Sequence, residues 1–492
     1  MGSRRLRHFH RWPTLLVAAL TVAAVVTVDG ASAPTSARLG SGVLSGVLSR
    51  LGAPPAPSSS VSPPPVTVVS GGAALPVTVS GSQLVQNGQP FVMRGVDVGA
   101  FGADDYPDGL LTSDMLNTIE AWGANMVRLE LSSDQYLQQC AESYDTNYRS
   151  QLTQAVSDLT TAGIYVILDI HASNPDCIWK SGQTSQVVAL PGDDAQSALA
   201  SLAATYGSNP LVGFEPFNEP EGCAEATTGP GASHFIPSST GLRSVCTTED
   251  AAALAWNDPG TATVQGVETM GLYVGGKSYA APGMDALYGT VMANVPAGSP
   301  PPLVFLDANY FASDPATFDT LGGPLATATN AVEVFHPYDC QAGGQAKADC
   351  LDTTPEKCDT IAATLGRDMT DPATGGVSRR PVVFDEFNFP AGVASYDGEL
   401  AGGTATIPIR VYQHGYWVNN EIATMQRLGA DGWGVFYLAN PDVDAVNGPY
   451  SIAPGITRTT PGPWPVSAND APAVAAMQGQ ALTCTDPPFG YG

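Results

Sequence analysis

The sequence predicts an α/β protein: a (β/α)8 barrel (TIM barrel) with an N-terminal β-hairpin and a long loop insertion after strand four. Three observations predict it. Eight short apolar runs recur along the chain, at 93–98, 125–131, 165–170, 211–217, 303–307, 331–335, 382–384 and 433–438. Plausible helical stretches separate them, among them 147–162, 283–293 and 419–428. The runs are continuous rather than alternating, as expected of parallel strands buried on both faces. A doubly wound sheet shares this periodicity. No glycine-rich phosphate loop follows any run, which weighs against a nucleotide-binding sheet.

The elements follow in chain order. Arg4, Arg5, Arg7 and Arg11 precede an apolar run from Leu15 to Val28 and a small-residue site at Ala31-Ser32-Ala33. Residues 1–33 therefore read as a secretory signal peptide. The run is shorter than the roughly 20 residues of a membrane span, so no membrane insertion is expected once it is removed, and the protein should be extracellular. Residues 34–75 are rich in Pro, Ser, Gly and Ala and read as a disordered linker. Residues 76–492 form the predicted globular domain. It opens with a hairpin signal, Gln83 to Val92, whose Asn87-Gly88 tolerates the positive φ of a tight turn. About 80 residues separate Pro220 from Leu303, an insertion long enough to be functional. The tail from Pro461 should fold back onto the barrel.

Composition narrows the partners. The chain holds 46 acidic and 20 basic residues, a net charge of −26, which opposes binding to nucleic acid or anionic membrane. Its 8 cysteines all lie beyond the signal segment, and an even number in an exported chain reads as disulfides. Cys140 with Cys177 and Cys223 with Cys246 are pairings suggested by proximity alone. Cys340, Cys350 and Cys358 lie near His336, but their spacing is not that of a zinc motif. Neither metal nor cofactor is expected, and a monomer is.

The strand ends carry the chemistry. Catalytic groups of a parallel barrel sit at the C-terminal ends of its strands. Here these ends hold Arg128, His171, Asn218 with Glu219, His336 with Tyr338, and Glu386. Buried charges need partners, so these groups should converge. A lone glutamate at a strand end is commonly an ordinary ion-pair member. Two glutamates with this retinue fit glycoside hydrolysis, in which one carboxyl protonates the departing oxygen and the other attacks the anomeric carbon or activates water.

Over roughly residues 80–445 the chain resembles glycoside hydrolase family five, the cellulase and mannanase group of the retaining clan. Asn218-Glu219-Pro220 is similar to the family's acid/base motif, which implies Glu219 as proton donor and Asn218 on the sugar 2-hydroxyl. Glu386 after its apolar strand implies the nucleophile. Arg128, His171 and His336-Pro337-Tyr338 match the family's strand-two Arg, strand-three His and strand-six His-x-Tyr, whose tyrosine meets the nucleophile. One position departs: where the family ends strand eight in a subsite Trp, the best match here is Tyr437, with Trp433 a few residues early. The implied activity is hydrolysis of a β-linked glucan, mannan or related glycan, with carbohydrate as the partner. Residues 144–148 leading into 163–171 also look like glycosylceramidases, so an exo-acting or glycolipid-directed member is the alternative. A non-catalytic sugar-binding protein on the same scaffold is a third reading. Trp179, Trp256 and Tyr310 are candidates for stacking on sugars, with core packing as the plainer role. Asp104, Asp105 and Asp108 read as a solvated acidic loop, and His414 and Trp417 as structural.

Overall fold

The computed structural model describes residues 75–101, 111–139, 146–177, 190–220, 234–238, 241–245, 256–257, 263–267, 273–337, 358–371, 376–388, 396–397, 406–407, 411–436, 438, 460–466 and 470–485. The signal segment, almost the whole linker, Tyr338, Tyr437, Trp179 and the acidic loop at 104–108 lie outside them.

Eight parallel strands close into a barrel. They are β1 (Met93–Phe101), β2 (Met126–Ser132), β3 (Tyr165–Ala172), β4 (Val212–Glu215), β5 (Val304–Asp307), β6 (Ala331–Val334), β7 (Val382–Phe387) and β8 (Gly432–Val435). Each pairs with the next, and β8 returns to β1 through Gly432↔Met93 and Trp433↔Arg94. Every predicted strand is present. Among the described residues, seven helices of at least seven residues pack outside: α1 (Ser113–Trp122), α2 (Tyr148–Thr161), α3 (Asp193–Tyr206), α4 (Gly283–Asn294), α5 (Cys358–Asp368), α6 (Val411–Leu428) and α7 (Ala471–Met477). Helix α1 shows why such a segment starts and stops where it does. The Thr112 hydroxyl caps the amide of Met115, and Gly123 closes the helix at φ 77°, where a side chain would be strained. Among the described residues, no helix is long and apolar enough to cross a membrane.

Strand periodicity divides the core in two. Outward residues such as Val127, Leu129, Val166, Leu168 and Phe384 pack on the helices. Inward residues Met93, Met126, Tyr165, Ile167, Leu211, Leu303, Phe305 and Val332 form a separate cluster inside the barrel, joined by Val77 and Leu84. Those last two come from the N-terminal element. The predicted hairpin exists, with Asn87 at φ 54° and Gly88 at φ 69°, but an earlier strand, Val77–Ser80, extends it to three strands. This small sheet covers the N-terminal mouth of the barrel. The Asp431 carboxylate anchors it by accepting from the Leu84 amide at 2.8 Å and from Val382 at 3.2 Å.

The insertion after β4 contains two antiparallel hairpins, His234–Ser238 with Gly241–Val245 and Thr263–Val267 with Tyr273–Ala280. Its Trp256 is fully buried, donates to the Asp307 carbonyl at 3.0 Å and meets Phe318 edge-on. This corrects its candidacy as a stacking platform: the indole is spent on core packing and a backbone carbonyl. Trp417 is buried against Phe387, as expected of a structural residue. The tail does fold back. Cys484 is bonded to Cys358 on α5, and Asn420 of α6 holds both the amide and the carbonyl of Thr485. Cys177 is also in a disulfide. The pairings suggested for Cys140 and for Cys223 with Cys246 involve residues outside those described.

Candidate active site

Arg128 organises the C-terminal mouth. It points into the barrel from β2 and is fully buried, a position no arginine holds without anions around it. Its Nε and Nη2 grip both oxygens of Glu215 at 2.9 and 2.6 Å. Nη1 donates to Glu386 Oε2 at 2.6 Å, and Nη2 also reaches Asn218 Oδ1 at 2.6 Å. Asp169 and Asp97 complete the shell at 3.1 and 3.6 Å. Burial opposes its charge, but Asp169, Glu215 and Glu386 together hold the guanidinium firmly protonated. Asn218 and Glu386 are thus fixed by one cation.

Glu219 is set by its backbone. Its φ is 44°, an unusual conformation for a glutamate and costly by about 1–3 kcal/mol. The Glu219 amide donates to Asp307 Oδ2 at 2.7 Å, and the Asn218 amide to the Ile170 carbonyl at 3.1 Å. Those two bonds hold the turn after β4, so the carboxyl projects over the mouth with 16% of its side chain exposed.

His336 sits between the two glutamates. Nδ1 lies 3.0 Å from Glu219 Oε1 and 3.9 Å from Glu386 Oε2, while Nε2 lies 3.2 Å from Asp385 Oδ1 and 3.6 Å from Asp307 Oδ2. Both ring nitrogens therefore face carboxylate acceptors, the arrangement of an imidazolium. Burial lowers its pKa, but Asp307, Glu386, Asp385 and Glu219 outweigh that and hold it well above the ordinary value. Carboxylate oxygens of Glu219 and Glu386 and a His336 nitrogen all lie within 4.8 Å of one another. Glu215, Asp307 and His336 form a second such group. Either set has donors a metal could use. Both Glu215 oxygens already serve Arg128, and the two His336 nitrogens already have Glu219 and Asp385 as hydrogen-bond partners.

On the opposite wall, His171 Nδ1 lies 2.9 Å from Asp169 Oδ2, and its side chain is 20% exposed. Burial works against its charge, yet Glu130 and Asp169 raise its pKa to about 9. The barrel thus brings together Arg128, His171, Asn218, Glu219, His336 and Glu386, as the strand ends imply. Tyr338 and Tyr437 fall outside the described residues.

The sequence reading missed an entire tier of acids: Asp97, Asp169, Glu215, Asp307 and Asp385, all fully buried, with Glu130 just above. Burial pushes Asp97, Glu215 and Asp307 upward and takes Asp169 to about 6 and Glu130 to about 7. A signal was present. Each acid stands two or four positions after an apolar or glycine inward residue, as in Tyr165-x-Ile167-x-Asp169 and Leu303-x-Phe305-x-Asp307. Reading the strands as unbroken apolar runs hid that period of two.

A family model described as cellulase (glycosyl hydrolase family 5) matches residues 84–369, more than half the chain. The chain belongs to glycosyl hydrolase family 5. The matched residues include Arg128, His171, Asn218, Glu219 and His336; Glu386 lies beyond them. Among curated relatives, endoglucanase E-5 of Thermobifida fusca is 29% identical over 166 residues, covering 33% of this chain and 32% of that protein. Endoglucanase N of Pectobacterium atrosepticum is 26% identical over 158 residues, covering 30% and 32%. The match thus spans about a third of the length of each of these relatives. Of solved structures, the catalytic domain of a Thermobifida fusca endoglucanase matches with a TM-score of 0.46 and 17% identity, over 82% of this chain and 97% of that one. A mannanase catalytic domain from Streptomyces sp. SirexAA-E matches with a TM-score of 0.46 and 15% identity, over 85% and 96%.

Proposed function

We propose that this family 5 enzyme is a secreted, retaining β-glycosidase that acts as a monomer on a β-linked glucan, mannan or related glycan by double displacement. The observation that carries the reading is the approach of Glu219 and Glu386, which place carboxylate oxygens within 4.8 Å of each other. Retaining glycosidases keep their carboxyl groups about 5–5.5 Å apart, whereas inverting ones leave roughly 6.5–9.5 Å for a water.

The chemistry follows from the surroundings. Glu219 gives its proton to the departing glycosidic oxygen, while His336 steadies the other oxygen of that carboxyl. Glu386, held ionised and oriented by Arg128, attacks the anomeric carbon and forms a covalent glycosyl-enzyme. Glu219 then takes a proton from water, which displaces Glu386 and restores the starting state. Asn218, hydrogen-bonded to Arg128, meets the sugar beside the reacting carbon in this reading. By motif position, Tyr338 contacts the nucleophile and Tyr437 takes the place of the subsite aromatic. The matched curated relatives are named endoglucanases, which supports a β-glucan as the first substrate to try. The signal-like residues 1–33 support export.

Glu386→Gln should lower turnover by about 10³-fold or more, with the melting temperature retained. Full activity in that variant would end the assignment. Proton NMR of the first-formed product should show the β-anomer; an initial α-anomer would rule out retention.

A further inference from the structure

Among the described residues, Glu130 is an acid of the mouth to which the mechanism proposed above gives no task beyond raising the pKa of His171. It points inward from β2, two residues past Arg128, and so stands one tier nearer the opening. It is 97% buried, with a relative exposure of 3%. Among the described residues, no donor reaches its Oε1. A buried carboxylate oxygen without a donor is costly, and the fold makes room for this one. At the neighbouring position of β1 stands Gly99, where an added Cβ would come within 3.1 Å of Glu130 Oε2. On the other side, His171 and Glu386 are the charged groups that act on it most strongly. Gly99 and Glu130 thus lie side by side near the strand ends, where Glu130 feels the charges of His171 and Glu386, and His171 spends its Nδ1 on Asp169.

We propose that Glu130 is a specificity-determining residue of this site: its unpartnered oxygen accepts a hydrogen bond from a ring hydroxyl of the sugar seated on Glu386. The inference rests on the glycosidase reading and adds to it a substrate class. The sugar at this position carries a free hydroxyl. Once Glu130 has lost its proton, a sulfate ester or carboxylate there meets it as a like charge, and an O-alkylated sugar offers no donor. Gly99 is the companion feature, since any side chain there would press on the carboxylate.

The test compares wild type, Glu130→Gln, Gly99→Ala and Glu386→Gln on 4-nitrophenyl β-cellobioside and β-mannobioside, and on analogues lacking one ring hydroxyl at a time. A hydrogen bond to a charged group is worth on the order of 10- to 100-fold. Glu130→Gln should therefore lose about that factor in kcat/KM, with its melting temperature equal to or above wild type. Removing one particular hydroxyl should cost wild type a similar factor and cost Glu130→Gln little. Gly99→Ala keeps the acid but crowds it, and should show the same hydroxyl-selective loss, so the idea stays testable if the glutamine variant folds poorly. Wild-type kcat/KM in Glu130→Gln beside an inert Glu386→Gln overturns the role of Glu130 alone. An equal loss on the parent glycoside and every deoxy analogue, with a lowered melting temperature, also overturns it by marking Glu130 as structural. Turnover in Glu386→Gln would instead overturn the glycosidase reading.

Discussion

At the N-terminal end of the barrel the inward positions are Met93, Met126, Tyr165, Leu211, Leu303 and Val332, capped by Leu84 and Val77 of the small sheet. Farther along the same strands the inward positions are Asp97, Arg128, Asp169, Glu215, Asp307 and Asp385. One half of the interior excludes charge and the other concentrates it, within the length of a short strand. The apolar half needs only volume and burial. The charged half needs every member, because each buried charge is tolerable only through its neighbours. Stability and catalysis are therefore expected to respond differently to changes at the two ends.

The sharpest way to break that contrast is to remove the cation on which the charged end depends. Arg128→Met keeps most of the volume but leaves Glu215, Glu386, Asn218, Asp169 and Asp97 without their common partner. Breaking a buried charge pair costs about 3–5 kcal/mol. The variant should unfold at clearly lower denaturant and lose hydrolysis. If it melts like wild type, the acids are being neutralised by some other route, and the description of Arg128 as the organiser is wrong.

The apolar end offers the complementary test. Leu84→Ala removes a fully buried side chain at the cap, and such truncations cost about 2–5 kcal/mol. Chemical denaturation should record that loss, while kcat measured well below the melting temperature stays close to wild type. A fall in kcat matching that of Arg128→Met would mean the two ends do not act separately.

This division also explains what could be read from the sequence. The eight strands, most helix positions and the Asn87-Gly88 turn follow from local pattern, because burial on two faces and turn geometry leave marks within a few residues. Glu219 and Glu386 stood out through motif and spacing. The acids beneath them did not, since Asp97 and Glu215 acquire meaning only when strands far apart in sequence are brought around Arg128. Trp256 misled for the same reason. A loop position suggested contact with sugar, but the insertion folds inward and the indole bonds the Asp307 carbonyl. The Cys358–Cys484 bridge joins positions 126 residues apart, and no local pattern announces such a pairing.

A smaller effect, but one that separates the two ends cleanly, lies in pH. Glu130 titrates at about 7 and Asp169 at about 6 in the folded protein, against roughly 4.3 and 3.9 for the unfolded chain. Between those values the folded state holds more protons than the unfolded one, so stability falls as pH rises. His171, raised to about 9 from roughly 6.5, acts in the same direction: its contribution is complete below the unfolded value and is lost as pH rises through the folded one. The melting temperature should accordingly decline from about pH 5 to about pH 9, as followed by thermal denaturation. Glu130→Gln should flatten the lower part of that decline, because glutamine has no proton to lose. Leu84→Ala should shift the whole curve down and leave its shape unchanged, since the side chain it removes does not titrate. A melting temperature that climbs across this range would show that the acids at the mouth are paired more fully than their burial implies, and the contrast between the two ends would then be one of packing rather than of charge.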